Sequence, residues 1–274
     1  MASRLPKAEK AYKNRGFLNS ADARTVRLLS EYLEPQRRFK HEKVRDTVVF
    51  FGSARVLPQE EARSRREALK EKAEGAGDPP DELKQELAAA EAQVKMSRYY
   101  EDAAELARLI TTWSLSAKGG RRYVVCSGGG PGIMEAANRG ATEAGGKSIG
   151  LNISLPFEQY PNEYISRELN FEFHYFFMRK FWFVYLAKAL IVFPGGFGTM
   201  DELMEGLTLV QTRKVSRPLP AVIYGTEYWR EVIDFDAMVR WGTISPKDLD
   251  LFRFVDSPEE AFEYLREELE SLDP

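Results

Sequence analysis

Short, unbroken apolar runs recur along this 274-residue chain, each closing on glycine or proline and each separated from the next by a helix-length segment. The clearest are DTVVFFGSAR, RYVVCSGGGPG, KSIGLNISLP, KALIVFPGGFG and LPAVIYG. Continuous rather than alternating hydrophobicity marks strands buried on both faces, and strands that alternate with helices require a parallel sheet with crossover helices. The predicted fold is α/β, a Rossmann-like doubly wound parallel sheet with helices on both faces, an N-terminal helical extension and a helical insertion. LNFEFHYF and FRFVD are weaker strand candidates.

The segments between the runs have helical spacing. YYEDAAELARLITTW places Tyr99, Ala103, Leu106, Ile110 and Trp113 on one face. Single helices are expected over IMEAANRGATEAGG, FMRKFWFVYLA, TMDELMEGLTLVQTRK, YWREVIDFDAMVRWG and SPEEAFEYLREELESL. Residues 1–19 are basic and polar and read as an arm without regular structure. A helix begins near Ser20, carries Val26, Leu29 and Leu33 at helical spacing, and ends near Pro35. Residues 57–95 are highly charged and break once at GAGDPP, which reads as a solvated helical hairpin inserted after the first strand. The expected division is an N-terminal arm and helix over 1–45 and one sheet domain over 46–274.

Charge and cysteine usage narrow the function. A net charge of −3 argues against a mainly electrostatic grip on nucleic acid. Cys126 is the single cysteine, so no intramolecular disulfide forms, and it is expected to be a small core residue. His41 and His174 stand far apart, no Cys/His cluster has metal-ligand spacing, and His174 is expected to be structural. No segment resembles a signal peptide, and no run reaches the ~18 apolar residues of a membrane span. The expectation is a soluble cytoplasmic protein with neither membrane nor nucleic-acid partners.

In a parallel sheet the strand-to-helix turns share the carboxyl edge, where ligands bind. Gly52, Ser53 and Arg55 follow the first run, Ser127, Gly128, Gly129, Gly130 and Gly132 the second, and Gly195, Gly196, Gly198, Thr199 and Glu202 follow ALIVF; Arg179 lies near the start of the helix after FEFHYF. Bare glycines followed by a helix N-terminus suit a phosphate, because the first N–H groups of a helix are unpaired and carry its positive end. Neither turn spells G-x-G-x-x-G, and ATEAGGKS leads into a strand rather than out of one, so dinucleotide and P-loop readings are set aside. From spacing alone, Thr199 and Glu202 form T-x-x-E, a helix capping box, and that reading leads over catalysis. Phe173, Tyr175, Phe176 and Phe177 read first as core and second as a slot for a flat base. Arg179 and Lys180 either face solvent or reach a ligand.

PGGFGTMDE matches the P-G-G-x-G-T-x-x-E motif of the Lonely Guy (LOG) family at every specified position. FFGSAR resembles the family's first-strand turn, SGGGPGIMEAANRGA its second glycine turn and helix, and FFMRK its R-K element, in the family's order from about Asp46 to Tyr224. Phe177 stands where smaller members often carry histidine, a pattern similar to the longer bacterial group. The resemblance implies a phosphoribohydrolase that cleaves purine nucleoside 5′-monophosphates, AMP-like and including cytokinin ribotides, to free base and ribose 5-phosphate. It implies no metal or organic cofactor, and a homodimer or higher homo-oligomer. It implies Arg179 and Glu202 as catalytic, against the capping-box preference. Gly52, Ser53, Gly129, Gly130, Gly195, Gly196, Gly198 and Thr199 would hold phosphate and ribose, and Met134, Glu135 and Lys180 would border the base. Members have often carried a lysine decarboxylase label, which needs a Schiff-base lysine that the sequence does not nominate. The alternatives are a non-catalytic nucleotide-binding or carrier protein of the same fold, and a regulatory or polymer-forming module built on the charged insertion.

Overall fold

A computed structural model describes residues 5–76, 78–116, 122–156 and 160–272. Its seven strands are β1 (Asp46–Phe51), β2 (Tyr123–Ser127), β3 (Ser148–Ile153), β4 (Asn170–Phe173), β5 (Ala187–Val192), β6 (Ala221–Tyr224) and β7 (Phe252–Val255). All pair in parallel, in the order β4-β3-β2-β1-β5-β6-β7. The chain builds outward from β1 to one edge, returns to β5 beside β1, and builds out to the other edge. The direction of winding therefore reverses between β1 and β5, and the loops after these two strands diverge to opposite faces. Such a reversal leaves a crevice at the carboxyl ends of the strands.

The helices are α1 (Arg15–Leu18), α2 (Arg24–His41), α3 (Gln59–Gly75), α4 (Asp81–Ser116), α5 (Ile133–Glu143), α6 (Phe176–Tyr185), α7 (Phe197–Gln211), α8 (Thr226–Val232), α9 (Phe235–Arg240) and α10 (Pro258–Ser271). Successive residues of a strand face opposite sides of the sheet, and β1 shows why its run is continuously apolar. Val48 and Phe50 enter a core with Tyr100, Leu106, Ile133 and Leu265, so α4, α5 and α10 cover that face. Val49 and Phe51 enter the other core with Phe39, Trp182, Leu203 and Trp229, which brings α2, α6, α7 and α8 to the opposite face. Cys126 lies in this second core, where burial pushes its thiol pKa up.

Several boundaries differ from expectation for identifiable reasons. Short helical turns at Ala11–Lys13 and Arg15–Leu18 occupy part of the arm over 1–19 that read as irregular, and a third at Ala21–Ala23 precedes α2, which starts at Arg24 rather than near Ser20; residues 1–4 lie outside the described residues. α2 does not stop at Pro35 but runs on to His41. A proline inside a helix withholds one N–H from the carbonyl four residues back. Here that carbonyl belongs to Glu31, and the indole N–H of Trp182 donates to it at 3.0 Å. Val26, Leu29 and Leu33 are exposed, while α2 buries Pro35 and Phe39. The helix expected over YWREVIDFDAMVRWG is two, because the Asp234 carboxylate accepts the N–H of Ala237 at 2.7 Å and starts α9 afresh. The break in the charged insertion falls where GAGDPP placed it, but α4 then runs through 36 residues without interruption. Its first half is largely exposed and its second half is core. Among the described residues no helix is long and apolar enough to cross a membrane.

Candidate active site

The crevice at the β1/β5 reversal is a cavity of about 650 Å³. Gly52 and Ser53 reach it from the β1 turn, Gly195, Gly196, Gly198 and Thr199 from the β5 turn, and Met134, Arg179 and Glu202 from α5, α6 and α7. Of the residues singled out in the sequence, Gly129, Gly130, Glu135 and Lys180 do not line it. Phe176 lines it from the start of α6, and both Phe176 and Phe177 are exposed, so the expectation of core positions holds only for Phe173 and Tyr175. His174 is exposed and outside the cavity.

The β5 turn is open and uncapped, the geometry that suits an anion. Gly196 is the N-cap of α7 and no side chain caps it. The first helical bond runs from Met200 N–H to the Gly196 carbonyl at 3.0 Å. The N–H groups of Phe197, Gly198 and Thr199 therefore form the unpaired positive end of the helix. Side-chain atoms added at Gly196 or Gly198 would meet nothing within 4 Å, so both face free space. Tyr228 steadies the turn by donating its hydroxyl hydrogen to the Gly195 carbonyl at 2.8 Å. The Ser53 N–H donates to the Pro194 carbonyl at 3.0 Å and ties the β1 turn to the β5 turn.

This start point overturns the capping box. With Gly196 as N-cap, Thr199 is the third residue of α7 and Glu202 lies deeper in the helix, beyond reach of a cap. The Glu202 carboxylate is half-buried and has no hydrogen-bond or ion-pair partner among the described residues. Burial pushes its pKa up to about 7, against the pull of nearby Lys180 and Arg179. Arg179 sits on the first turn of α6. Its Nε donates to the Leu151 carbonyl at 2.6 Å, and its guanidinium lies 5.0 Å from the Phe183 ring centroid. Burial pulls the Arg179 pKa down and the Glu202 charge pulls it back up, so each group senses the other. A side chain at Gly128 would collide with Arg179 Nη2 and with the Met134 sulfur. That glycine is bare to admit the guanidinium.

Lys180 has another task. Its Nζ lies 2.8 Å from Asp201 Oδ2 and 2.7 Å from Glu205 Oε2, pinning α6, which carries Arg179, to α7, which carries Glu202. The second glycine turn is likewise internal support. The Gly129 N–H donates to Ser127 Oγ at 3.0 Å, and Asn162 Nδ2 donates to the Gly129 and Gly130 carbonyls at 3.1 and 3.0 Å. Glu135 accepts the Tyr100 hydroxyl hydrogen at 2.7 Å. Asn152, Met96 and Tyr228 line the cavity without having been singled out. A polar residue inside the apolar run KSIGLNISLP was a usable signal for Asn152; nothing local marked Met96 or Tyr228. No lysine lines the cavity among the described residues.

Residues 134–265 match the family model described as "Possible lysine decarboxylase". Over 129 residues the chain is 30% identical to an Oryza sativa subsp. japonica protein described as a probable cytokinin riboside 5′-monophosphate phosphoribohydrolase. That alignment covers 45% of this chain and 50% of the rice protein, so the chain spans about half the length of the curated relative it matches. Among solved structures, a molybdenum cofactor binding protein from Rippkaea orientalis is similar at 17% identity and a TM-score of 0.45, covering 81% of this chain and 94% of that one. The Moco carrier protein from Chlamydomonas reinhardtii is similar at 16% identity and a TM-score of 0.47, covering 83% and 99%. An X-ray structure of a structural-genomics target gives 20% identity and a TM-score of 0.48, covering 81% and 99%.

Proposed function

We propose that this chain, which belongs to the Lonely Guy (LOG) family, hydrolyses the N-glycosidic bond of purine nucleoside 5′-monophosphates to free base and ribose 5-phosphate. The observation that carries the reading is Glu202: an unpartnered, half-buried carboxylate in a cavity, one helical turn from an open anion seat and within electrostatic reach of Arg179. A half-buried carboxylate without a partner costs stability, and a catalytic site is where such a cost is retained.

The 5′-phosphate sits on the N–H groups that open α7, with the Thr199 hydroxyl beside them. Breaking the C1′–N9 bond leaves its electron pair on the base and positive charge shared by C1′ and the ring oxygen. The Glu202 carboxylate stabilises that charge and accepts a proton from the water that attacks C1′. Arg179, which also lines the cavity, favours departure of the base by stabilising its developing negative charge; the base then takes a proton from solvent and Glu202 releases the one it accepted, which restores the carboxylate. Lys180 holds the two helices in register. A cavity of about 650 Å³ is of the size that takes a small-molecule ligand. Turnover needs ionised Glu202, so kcat/KM rises with pH through about 7 and then levels. Incubation with AMP and chromatography of the products tests the proposal. Adenine and ribose 5-phosphate in equal amounts are expected; AMP bound but intact would mark a carrier instead.

A further inference from the structure

The N-terminal helix lies outside the segment that carries the LOG motifs, yet it touches the helix bearing Arg179 at two points through one residue. The Glu31 carboxylate accepts the His174 N–H at 2.8 Å and the Tyr175 N–H at 3.2 Å. Tyr175 is the N-cap of α6, and no side chain of the α6 segment itself caps that end. A carboxylate on the N–H groups at a helix start is favoured both by charge-assisted hydrogen bonding and by the helix dipole. The second point is the Glu31 backbone carbonyl, which accepts the Trp182 indole N–H at 3.0 Å. That carbonyl is free inside a helix because Pro35, four residues on, has no N–H to give it. Tyr32 and Phe39 add ring contacts to Trp182, with centroids at 5.9 and 5.3 Å.

The path to the site is short. The Arg179 N–H donates to the Tyr175 carbonyl at 3.2 Å, so the residue whose own N–H is held by Glu31 forms the first turn under Arg179. At the far end Arg179 Nε is fixed on Leu151. We propose that Glu31 is a positioning residue for Arg179, gripping α6 by its carboxylate at the helix start and by its proline-freed carbonyl one turn beyond Arg179. The N-terminal extension is then part of the catalytic apparatus rather than an appendage. The inference rests on the catalytic role proposed for Arg179.

The test uses the full chain with Glu31→Ala and Glu31→Gln, reading kcat on AMP, affinity for ribose 5-phosphate, and hydrogen exchange over residues 174–182. Displacing a reacting group by about 1 Å costs up to about 100-fold. Glu31→Ala is expected to lower kcat by about 10-fold or more, to speed exchange in 174–182, and to leave ribose 5-phosphate affinity within about 2-fold. Glu31→Gln, which keeps an oxygen acceptor, is expected to lose about 3-fold. An unchanged kcat in Glu31→Ala overturns the proposal. So does a loss of rate that tracks a loss of ribose 5-phosphate affinity, since that would mean general unfolding. If Glu31→Ala does not fold, Glu31→Gln decides, and an unchanged kcat there overturns it. If the wild-type chain binds AMP without cleaving it, hydrolysis fails separately. The comparison is then read on affinity: AMP binding weakened with ribose 5-phosphate binding intact supports positioning, and equal AMP affinities overturn it.

Discussion

The two glycine turns, SGGGPG after β2 and PGGFGT after β5, look alike in sequence and are used in opposite ways. In the first, the space beside the glycines is filled by protein. A side chain at Gly128 would strike Arg179, and one at Gly132, at φ +71°, would strike the Ser53 carbonyl. Its polar groups are taken up by Ser127 and Asn162. In the second, Gly196 and Gly198 face open space and the helix N–H groups beyond them have no protein acceptor. Bare backbone thus permits two things, close packing within the protein and, at the β5 turn, open space of the kind a ligand needs. Which one applies is decided by whether the surrounding polar groups are already satisfied.

The acid that follows each turn gives the largest expected contrast. Glu202→Gln should lower kcat on AMP by about 100-fold or more, the scale of one lost electrostatic contact to the transition state. Glu135→Gln, at the helix after the closed turn, should keep kcat within about 3-fold, because Glu135 bonds Tyr100 outside the cavity and a glutamine oxygen serves there. Equal losses in the two variants would erase the distinction between the turns.

Alanine at one glycine of each turn gives the next contrast. Gly132→Ala meets both a left-handed backbone and the Ser53 carbonyl, and should cost about 2–3 kcal/mol in denaturant unfolding. Gly198→Ala should leave stability unchanged or raise it by a few tenths of a kcal/mol, as an added methyl at an open helical position does. It should weaken ribose 5-phosphate binding by roughly 10-fold, about the worth of one charge-assisted hydrogen bond. A destabilised Gly198→Ala protein with normal affinity would show that the β5 turn, too, is packed against protein.

A smaller effect is on stability against pH. Glu202 holds its proton more tightly folded than unfolded, where the value is near 4.5. It therefore subtracts stability as pH climbs from 4.5 to 7, and the loss is complete above 7. Glu202→Gln should be more stable than wild type by about 1–2 kcal/mol at pH 8 and equal to it at pH 4. A helix cap would give nearly equal stabilities at both pH values, because a glutamine serves a capping box almost as well.

Much of this was legible in the sequence. Runs such as TVVFF and ALIV announce strands buried on both faces, and LOG-like motifs located Arg179 and Glu202 before their surroundings were visible. What escaped depended on partners and helix starts that residue spacing does not reveal. Pro35 read as a helix end because the Trp182 indole that accommodates it lies 147 residues away by number. Glu202 read as a cap because T-x-x-E spacing is silent about where the helix starts, which the open Gly196 decides. Lys180 and Glu135 carry charge at motif positions but spend it on Asp201, Glu205 and Tyr100, partners that spacing does not reveal.

The central claim is that the open β5 turn seats the phosphate of a nucleotide that Glu202 and Arg179 then cleave. Comparing kcat/KM for AMP and adenosine tests it most directly, since the two differ only by the group the turn would hold. AMP should be preferred by about 100-fold or more, the equivalent of roughly 3 kcal/mol of phosphate contacts. Equal values for AMP and adenosine would contradict the phosphate seat, and release of adenine from neither would contradict hydrolysis itself.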